Sequence, residues 1–171
     1  RAEAEFWRRS QGTHVGDSST KLNFECGGQQ WVNECCFPAG TRSEPDGKDM
    51  RYMLRLLDII ESEGIPAPAP IEQRWTAGST SLLSPARSTT EDALFSWVGI
   101  IMYLPSQDPA ERAAITKRFW EYNAMCRREL WPRYGCHQHW AKIELPESES
   151  ELATMRARLA ERYPLDELNA L

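Results

Sequence analysis

Apolar residues follow strand-like patterns in four stretches of the chain. Residues 29–37 (QQWVNECCF) and 95–104 (FSWVGIIMYL) are runs of strand length that are rich in apolar side chains. The second run is apolar on both faces, which is typical of a central strand. Residues 71–76 (IEQRWT) alternate between two faces, and residues 139–145 (HWAKIEL) form a further short run that ends at a proline. The pattern therefore predicts four strands.

Three helices are predicted between and after these strands. The first has an apolar stripe at helical spacing, formed by Met50, Met53, Leu54, Leu57 and Ile60. The second begins at Asp108, with Pro109 in the first helical position and Glu111 completing a capping box. Its apolar stripe comprises Ile115, Phe119, Tyr122, Cys126 and Leu130. The third begins at a second capping box, formed by Ser148 and Glu151.

The order strand, helix, strand, strand, helix, strand, helix predicts an α+β fold with a largely antiparallel sheet flanked by helices. A doubly wound nucleotide-binding fold requires a glycine-rich turn after its first strand, and the sequence has none. It also contains no Walker loop, no Gly-x-Ser-x-Gly elbow and no His-Glu-x-x-His helix. If the chain belongs to an enzyme, its cofactor-binding part is not evident in these residues.

Composition and charge narrow the range of partners. The 171 residues include 20 Lys and Arg against 25 Asp and Glu, which gives a net charge of −5, and no basic stripe suits nucleic acid. No window approaches the roughly 20 apolar residues that span a bilayer, so we expect no transmembrane helix. The chain begins at Arg1 without a signal or transit pattern, and we therefore expect it to be part of a longer protein.

Candidate functional residues occur in two segments of the sequence. Glu72 and Arg74 fall on the same face of a predicted strand, about 7 Å apart, behind a stiff lead-in with three prolines (residues 65–70). A carboxylate can accept a hydroxyl proton and a guanidinium can stabilise an anion. The alternative is an ordinary surface ion pair. His139 and Lys142 would face opposite sides of a regular strand, so a shared role requires a bulge or a turn there.

The cysteines predict buried thiols rather than a metal centre. There are five, at positions Cys26, Cys35, Cys36, Cys126 and Cys136, without the spacing of a disulfide framework. The adjacent Cys35 and Cys36 should point to opposite faces of their strand. The sequence Cys136-His137-Gln138-His139 supplies three donors without a fourth ligand, so we expect no metal.

Five long segments resemble one known family, the aldonolactone oxidoreductases, which are flavoproteins of the vanillyl-alcohol-oxidase type. These segments are AEAEFW (residues 2–7), CGGQQWV (26–32), IPAPAPIEQRWTA (65–77), FSWVGIIMYLP (95–105) and HWAKIE (139–144). The resemblance implies that residues 1–146 are part of the cap, or substrate, domain. Residues 147–171 would then be a C-terminal helix and the start of the return segment. The N-terminal FAD-binding domain of the family would be absent from this chain.

The resemblance also implies an activity and roles for individual residues. Glu72 and Arg74 look like the catalytic Glu-x-Arg pair, and His139, Trp140 and Lys142 look like the His-Trp-x-Lys segment near flavin and substrate. Cys26 looks like an oxidation-sensitive thiol close to the same site. The complete enzyme would use FAD to oxidise L-galactono-1,4-lactone to L-ascorbate, with cytochrome c as acceptor, at the mitochondrial inner membrane or intermembrane space. The chain alone is expected to be inactive.

The resemblance allows a second interpretation. Plant members of the family also associate with respiratory complex I. The chain would then be a structural component bound to a membrane-arm assembly intermediate of that complex, without catalysis. The sequence does not discriminate between the two interpretations.

Overall fold

A four-stranded antiparallel sheet organises the described part of the chain. The computed structural model describes residues 29–67, 70–143 and 148–163. The strands are β1 (Gln30–Thr41), β2 (Glu72–Ala77), β3 (Ala93–Tyr103) and β4 (His137–Gln138). Their spatial order is β2-β3-β1-β4, and each neighbouring pair is antiparallel. The predicted α+β class is confirmed, and β3 is central to the sheet as its apolar sequence predicts.

The helices are α1 (Lys48–Ser62), α2 (Pro109–Glu129), α3 (Trp131–Tyr134) and α4 (Glu149–Arg162), with a short 3-10 turn at Trp140–Lys142. The carboxylate of Asp108 caps α2 by accepting the N–H groups of Ala110 and Glu111. The reciprocal half of the predicted box is absent, because the Asp108 N–H donates to Ser106 instead. At α4, Ser148 accepts the Glu151 N–H at 3.3 Å, as predicted. Within the described residues, no helix is long and apolar enough to cross a membrane.

The main core lies between the sheet and helices α1 and α2. The buried residues of α2 include Phe119, Tyr122 and Cys126, so its predicted stripe is confirmed. Cys35 belongs to this core, whereas Cys36 packs in a second, smaller cluster on the other face of the sheet. The two cysteines therefore point to opposite faces of β1. The four cysteines within the described residues are buried free thiols, and Cys26 lies outside the described residues.

The predicted apolar stripe of α1 is correct only in part, because Met53 and Ile60 pack against the core but the other three residues do not. Met50, Leu54 and Leu57 are 56%, 60% and 46% exposed, while Tyr52, Leu56 and Ile59 form the buried line. The reason is aromatic packing, because the Tyr52 ring stacks on Phe37 with 4.7 Å between centroids. Its hydroxyl also lies 3.4 Å from the Cys35 sulfur. A large amphipathic ring thus decides the rotation of the helix against the sheet.

The strand predicted for residues 139–145 is wrong over residues 139–143, the part of it that the structure describes. The chain leaves the sheet after the two residues of β4 and forms the 3-10 turn. The ring Nδ1 of His139 accepts the Ala141 N–H at 3.1 Å and so caps this turn. A side chain that bonds the backbone two residues ahead competes with strand pairing. β1, in contrast, runs beyond the predicted stop at Pro38 to Thr41, with a register shift over its last residues.

Candidate functional site

One face of the sheet carries a row of three polar side chains from separate parts of the sequence, with a glycine between two of them. In the register of the ladders, Glu72 of β2 lies opposite Gly99 of β3, and Gly99 lies opposite Glu34 of β1. The backbone N–H of His139 donates to the Glu34 carbonyl at 2.9 Å. The order Glu72, Gly99, Glu34, His139 therefore runs straight across the sheet.

A second row lies beside the first on the same face. Arg74 is opposite Trp97, Trp97 is opposite Cys36, and Cys36 is opposite His137. Trp97 is buried, and its indole N–H donates to Thr76 at 2.9 Å. The predicted alternation of β2 is confirmed, because Glu72 and Arg74 share this face while the Gln73 side chain bonds Ser96.

Arg74 is held by two different contacts. Its Nε donates to Glu34 Oε1 at 2.7 Å and its Nη2 donates to Glu34 Oε2 at 3.2 Å. The guanidinium carbon also lies 4.3 Å from the centroid of the Trp97 ring. The hydrogen bonds to Glu34 raise the pKa of Arg74 above its ordinary value. The guanidinium is therefore permanently charged, and its plane is set by a carboxylate on one edge and an indole on one face.

Glu72 stands at the edge of the sheet with an exposed side chain. No residue of the described part of the chain hydrogen-bonds to its carboxylate. Its neighbour in the row is Gly99, where an added Cβ would lie 3.6 Å from Glu72 Cβ and 3.8 Å from its Oε2. Because Gly99 has no side chain, its backbone forms the surface between Glu72 and Glu34, which we call the floor of the site. A bound molecule at this floor would meet a carboxylate and a guanidinium together.

The turn after β4 presents the remaining predicted residues. The Trp97 and His139 rings meet edge to face with 5.6 Å between centroids, and His139 Nε2 is 3.9 Å from Glu34 Oε2. Burial is the largest cause that lowers the pKa of His139, with Arg74 and Lys142 acting in the same direction and Glu34 opposing them. The lowered pKa favours the neutral form of the His139 imidazole. The turn that the sequence required for a shared role of His139 and Lys142 is present.

Trp140 and Lys142 are placed differently from His139. The indole N–H of Trp140 donates to the Leu83 carbonyl at 2.6 Å, and its ring packs on Tyr163 with 4.8 Å between centroids. Trp140 thus joins the turn to the connector after β2 and to the end of α4. Lys142 is half-buried, and its carbonyl accepts the Gln138 side-chain amide at 2.9 Å. Its backbone is fixed, while its ammonium charge contributes to the field at His139.

A buried amide network fixes this turn against the helical layer. Gln138 donates to Asn33 Oδ1 at 2.9 Å and accepts a hydrogen bond from Arg127 at 3.0 Å, and Asn33 in turn donates to Asn123 of α2. All three amide side chains are buried. Hydrogen bonds between buried polar groups are strengthened in a low-dielectric interior and favour a single arrangement. The network therefore fixes the position of His139 and Lys142 relative to β1.

Sequence reasoning missed Glu34 and the position of Trp97 under Arg74. Glu34 is a lone acidic residue within the predicted strand 29–37, and its side chain is only 14% exposed. An acidic residue inside such a run was the available signal, because carboxylates are rarely buried without a partner. The partner itself depends on the strand register. Cys26, the remaining predicted site residue, lies outside the described residues.

Comparison with known proteins gives the class of this chain. The family model described as D-arabinono-1,4-lactone oxidase matches residues 2–168, and the chain belongs to this family. It is 55% identical over 168 residues to the mitochondrial L-galactono-1,4-lactone dehydrogenase of Arabidopsis thaliana, which covers 98% of the chain and 28% of that relative. Two further relatives carry the same enzyme name. One, from Oryza sativa subsp. japonica, is 54% identical (99% of this chain, 29% of the relative), and one from Brassica oleracea is 53% identical (98% and 28%). The chain spans less than a third of the length of these relatives.

Proposed function

We propose that this chain is the substrate-domain part of a mitochondrial dehydrogenase that oxidises L-galactono-1,4-lactone to L-ascorbate. One observation carries the proposal: a chain about 55% identical to enzymes of that name places Glu72 and Arg74 on one open sheet face, with His139 across the same row. In this proposal residues 1–146 belong to the cap domain and residues 147–171 lead into the return segment. A separate FAD-binding domain completes the enzyme, and cytochrome c accepts the electrons.

The charged and polar groups on this sheet face suit a flavin and a lactone. This face offers one carboxylate that no described residue hydrogen-bonds, one fixed guanidinium, an imidazole and, on the neighbouring turn, a lysine. FAD, when bound, supplies the two-electron acceptor for the lactone C–H bond. The residues of this chain supply the surrounding charges, and preorganised charges aimed at a developing anion are a large part of catalysis.

Each side chain has a distinct role in this proposal. Glu72 accepts the hydrogen bond, or the proton, of a substrate hydroxyl, since no described residue hydrogen-bonds to its carboxylate. Arg74 stabilises the negative charge that develops on the reduced cofactor. Lys142 orients the lactone, and His139 and Trp140 line the approach. Cys26 is proposed to lie close to the same site.

The test is reduction of the complete flavoenzyme by its substrate. Addition of L-galactono-1,4-lactone should bleach the flavin absorbance, and Glu72→Gln or Arg74→Ala should lower kcat by about a hundredfold to a thousandfold. The matched control is the exposed ion pair on α2, Arg118 to Glu121 at 2.9 Å. Arg118→Ala and Glu121→Gln remove the same chemical groups away from the row and should leave turnover unchanged. Full activity in the Glu72 and Arg74 variants would contradict the proposed site.

A further inference from the structure

Glu34 occupies a place that none of the predicted site residues accounts for. It lies at the centre of β1, two strands away from the edge strand that carries Arg74. Both of its carboxylate oxygens receive hydrogen bonds from Arg74, at 2.7 and 3.2 Å. The Arg74 side chain therefore crosses the sheet diagonally over β3 to reach it. Gly99, the residue opposite Glu34, has no side chain beside this path.

The contacts of Arg74 with Glu34 and Trp97 determine which of its N–H groups remain available. The bonds to Glu34 use Nε and one Nη2 hydrogen, and the Trp97 ring covers one face of the guanidinium. A guanidinium has five N–H groups in a rigid fork. The Nη1 edge is thus left for a ligand, in an orientation fixed by the other two nitrogens. Without Glu34, a side chain that is 49% exposed would be free to sample several rotamers.

Glu34 also links the two parts of the candidate site. Its carbonyl accepts the His139 N–H at 2.9 Å, and its Oε2 lies 3.9 Å from His139 Nε2. The backbone bond fixes the start of the turn, and the carboxylate fixes Arg74. One residue of a central strand therefore sets the separation between the β2 pair and the turn that carries Lys142.

We propose that Glu34 is a positioning residue that orients Arg74 for its ligand and neutralises part of its charge. The inference rests on the proposed function, because it assigns Arg74 a ligand on the open face. Glu34 acts through Arg74 and does not itself contact the substrate. Two effects follow: loss of the carboxylate geometry lowers turnover, and loss of its charge makes the site more positive.

Two substitutions separate geometry from charge in the complete flavoenzyme. Glu34→Gln keeps the length of the side chain but removes the charge, whereas Glu34→Asp keeps the charge but shortens the side chain by one methylene. Both should lower kcat by about tenfold to a hundredfold, because a misplacement near 1 Å is enough for such a loss. The reduction potential of the bound flavin should rise in Glu34→Gln and stay at the wild-type value in Glu34→Asp. A variant that only destabilised the fold would not raise the flavin potential in Glu34→Gln and leave it unchanged in Glu34→Asp.

The double variant tests whether Glu34 acts through Arg74. In an Arg74→Ala background, Glu34→Gln should cause no further loss of kcat. The matched control is Asp92→Asn, which removes a carboxylate bonded to an arginine at the same 2.7 Å distance in the exposed pair with Arg42. It should change neither kcat nor potential. Wild-type turnover in Glu34→Gln, wild-type turnover in Glu34→Asp, or an additional loss in the Arg74→Ala background would each overturn the inference.

Failure of this inference is distinguishable from failure of the proposed function. If the wild-type flavoenzyme is not reduced by the lactone, the proposed function fails, whatever the variants do. If the wild type is reduced and Glu34→Gln is reduced equally fast, only the positioning role fails. The potential is measured by chemical reduction, without the lactone, so the charge effect has a readout that does not depend on the substrate.

Discussion

Gly99 provides the sharpest test of where a ligand meets this sheet. The residue lies between Glu72 and Glu34 in the first row, and its absent side chain forms the floor between the two carboxylates. Replacing it by alanine adds one methyl group to this floor. Replacing it by valine adds two further carbons to the same place. The two variants should separate stability from binding.

The distances around Gly99 give the expected magnitudes. An alanine Cβ would lie 3.6 Å from Glu72 Cβ, 3.8 Å from Glu72 Oε2 and 3.9 Å from the Asn33 carbonyl, all ordinary contacts. Gly99→Ala should therefore fold normally and raise the free energy of unfolding by about 0.4–1 kcal/mol, since the unfolded chain loses freedom. Valine extends about 1.5 Å beyond the Cβ. That extension enters the space beside the Glu72 carboxylate and displaces either the carboxylate or a bound ligand.

The assay is steady-state oxidation of L-galactono-1,4-lactone by the complete flavoenzyme, together with thermal unfolding. Gly99→Val should lower kcat/KM by about tenfold to a hundredfold while the protein stays folded. Ala77→Val adds the same two carbons that distinguish valine from alanine at an exposed position of β2 outside the row, and it should keep wild-type kinetics. Wild-type kcat/KM in a folded Gly99→Val variant would refute the reasoning, because the floor would then not be where the ligand binds.

Four further predictions concern stability, and each is measured by urea denaturation of the complete protein. Asp108→Ala removes the acceptor of two N–H groups at the start of α2, and should lower the free energy of unfolding by about 1 kcal/mol. Gly40→Ala places a Cβ at φ 86° and 2.6–2.7 Å from backbone atoms, so it should destabilise by about 2 kcal/mol or more. Gly64→Ala, at φ 60° in open space, should lose only about 1–2 kcal/mol. Burial, with nearby arginines, lowers the pKa of His137 to about 4. The unfolded state then binds more protons between about pH 6.5 and 4, so stability should fall as the pH falls through this window, and His137→Gln should flatten that fall.

The sequence alone was sufficient for the elements whose pattern is local. The apolar run of β3, the alternation of β2 and the Asp108 cap are each set by neighbouring residues, and each was predicted correctly. The face of α1 was predicted correctly only in part, because Met50, Leu54 and Leu57 form an equally regular stripe. The choice of face depends on the contact between Tyr52 and Phe37, residues that lie in separate elements. Periodicity ranks hydrophobic faces, but tertiary packing selects between them.

The strand prediction for the segment after β4 failed for a different reason. Residues 139–145 have the composition of a strand, yet His139 caps a turn with its own ring nitrogen. That local bond does not act alone, since Gln138 holds the Lys142 carbonyl and Asn33 together. The sequence indicated only that a joint role for His139 and Lys142 needs such a turn. The bond from Gln138 to Asn33 joins residues 105 positions apart, and no periodic pattern records such a contact.

The residues of the candidate site are therefore brought together by the register of the strands and not by a local sequence motif. Glu72 and Arg74 are recognisable as a pair because they are two residues apart, whereas Glu34 becomes their neighbour only when β1 and β3 pair with Gly99 opposite it. A shift of the β1 ladder by one residue would turn Glu34 into the helical core and bring Asn33 or Cys35 to its place beside Arg74. The buried Asn33, on the opposite face of the same strand, resists that shift because it bonds Asn123 of α2 and Gln138 of β4 on the helical side of the sheet. The same network that fixes the fold thus fixes the charge opposite Arg74.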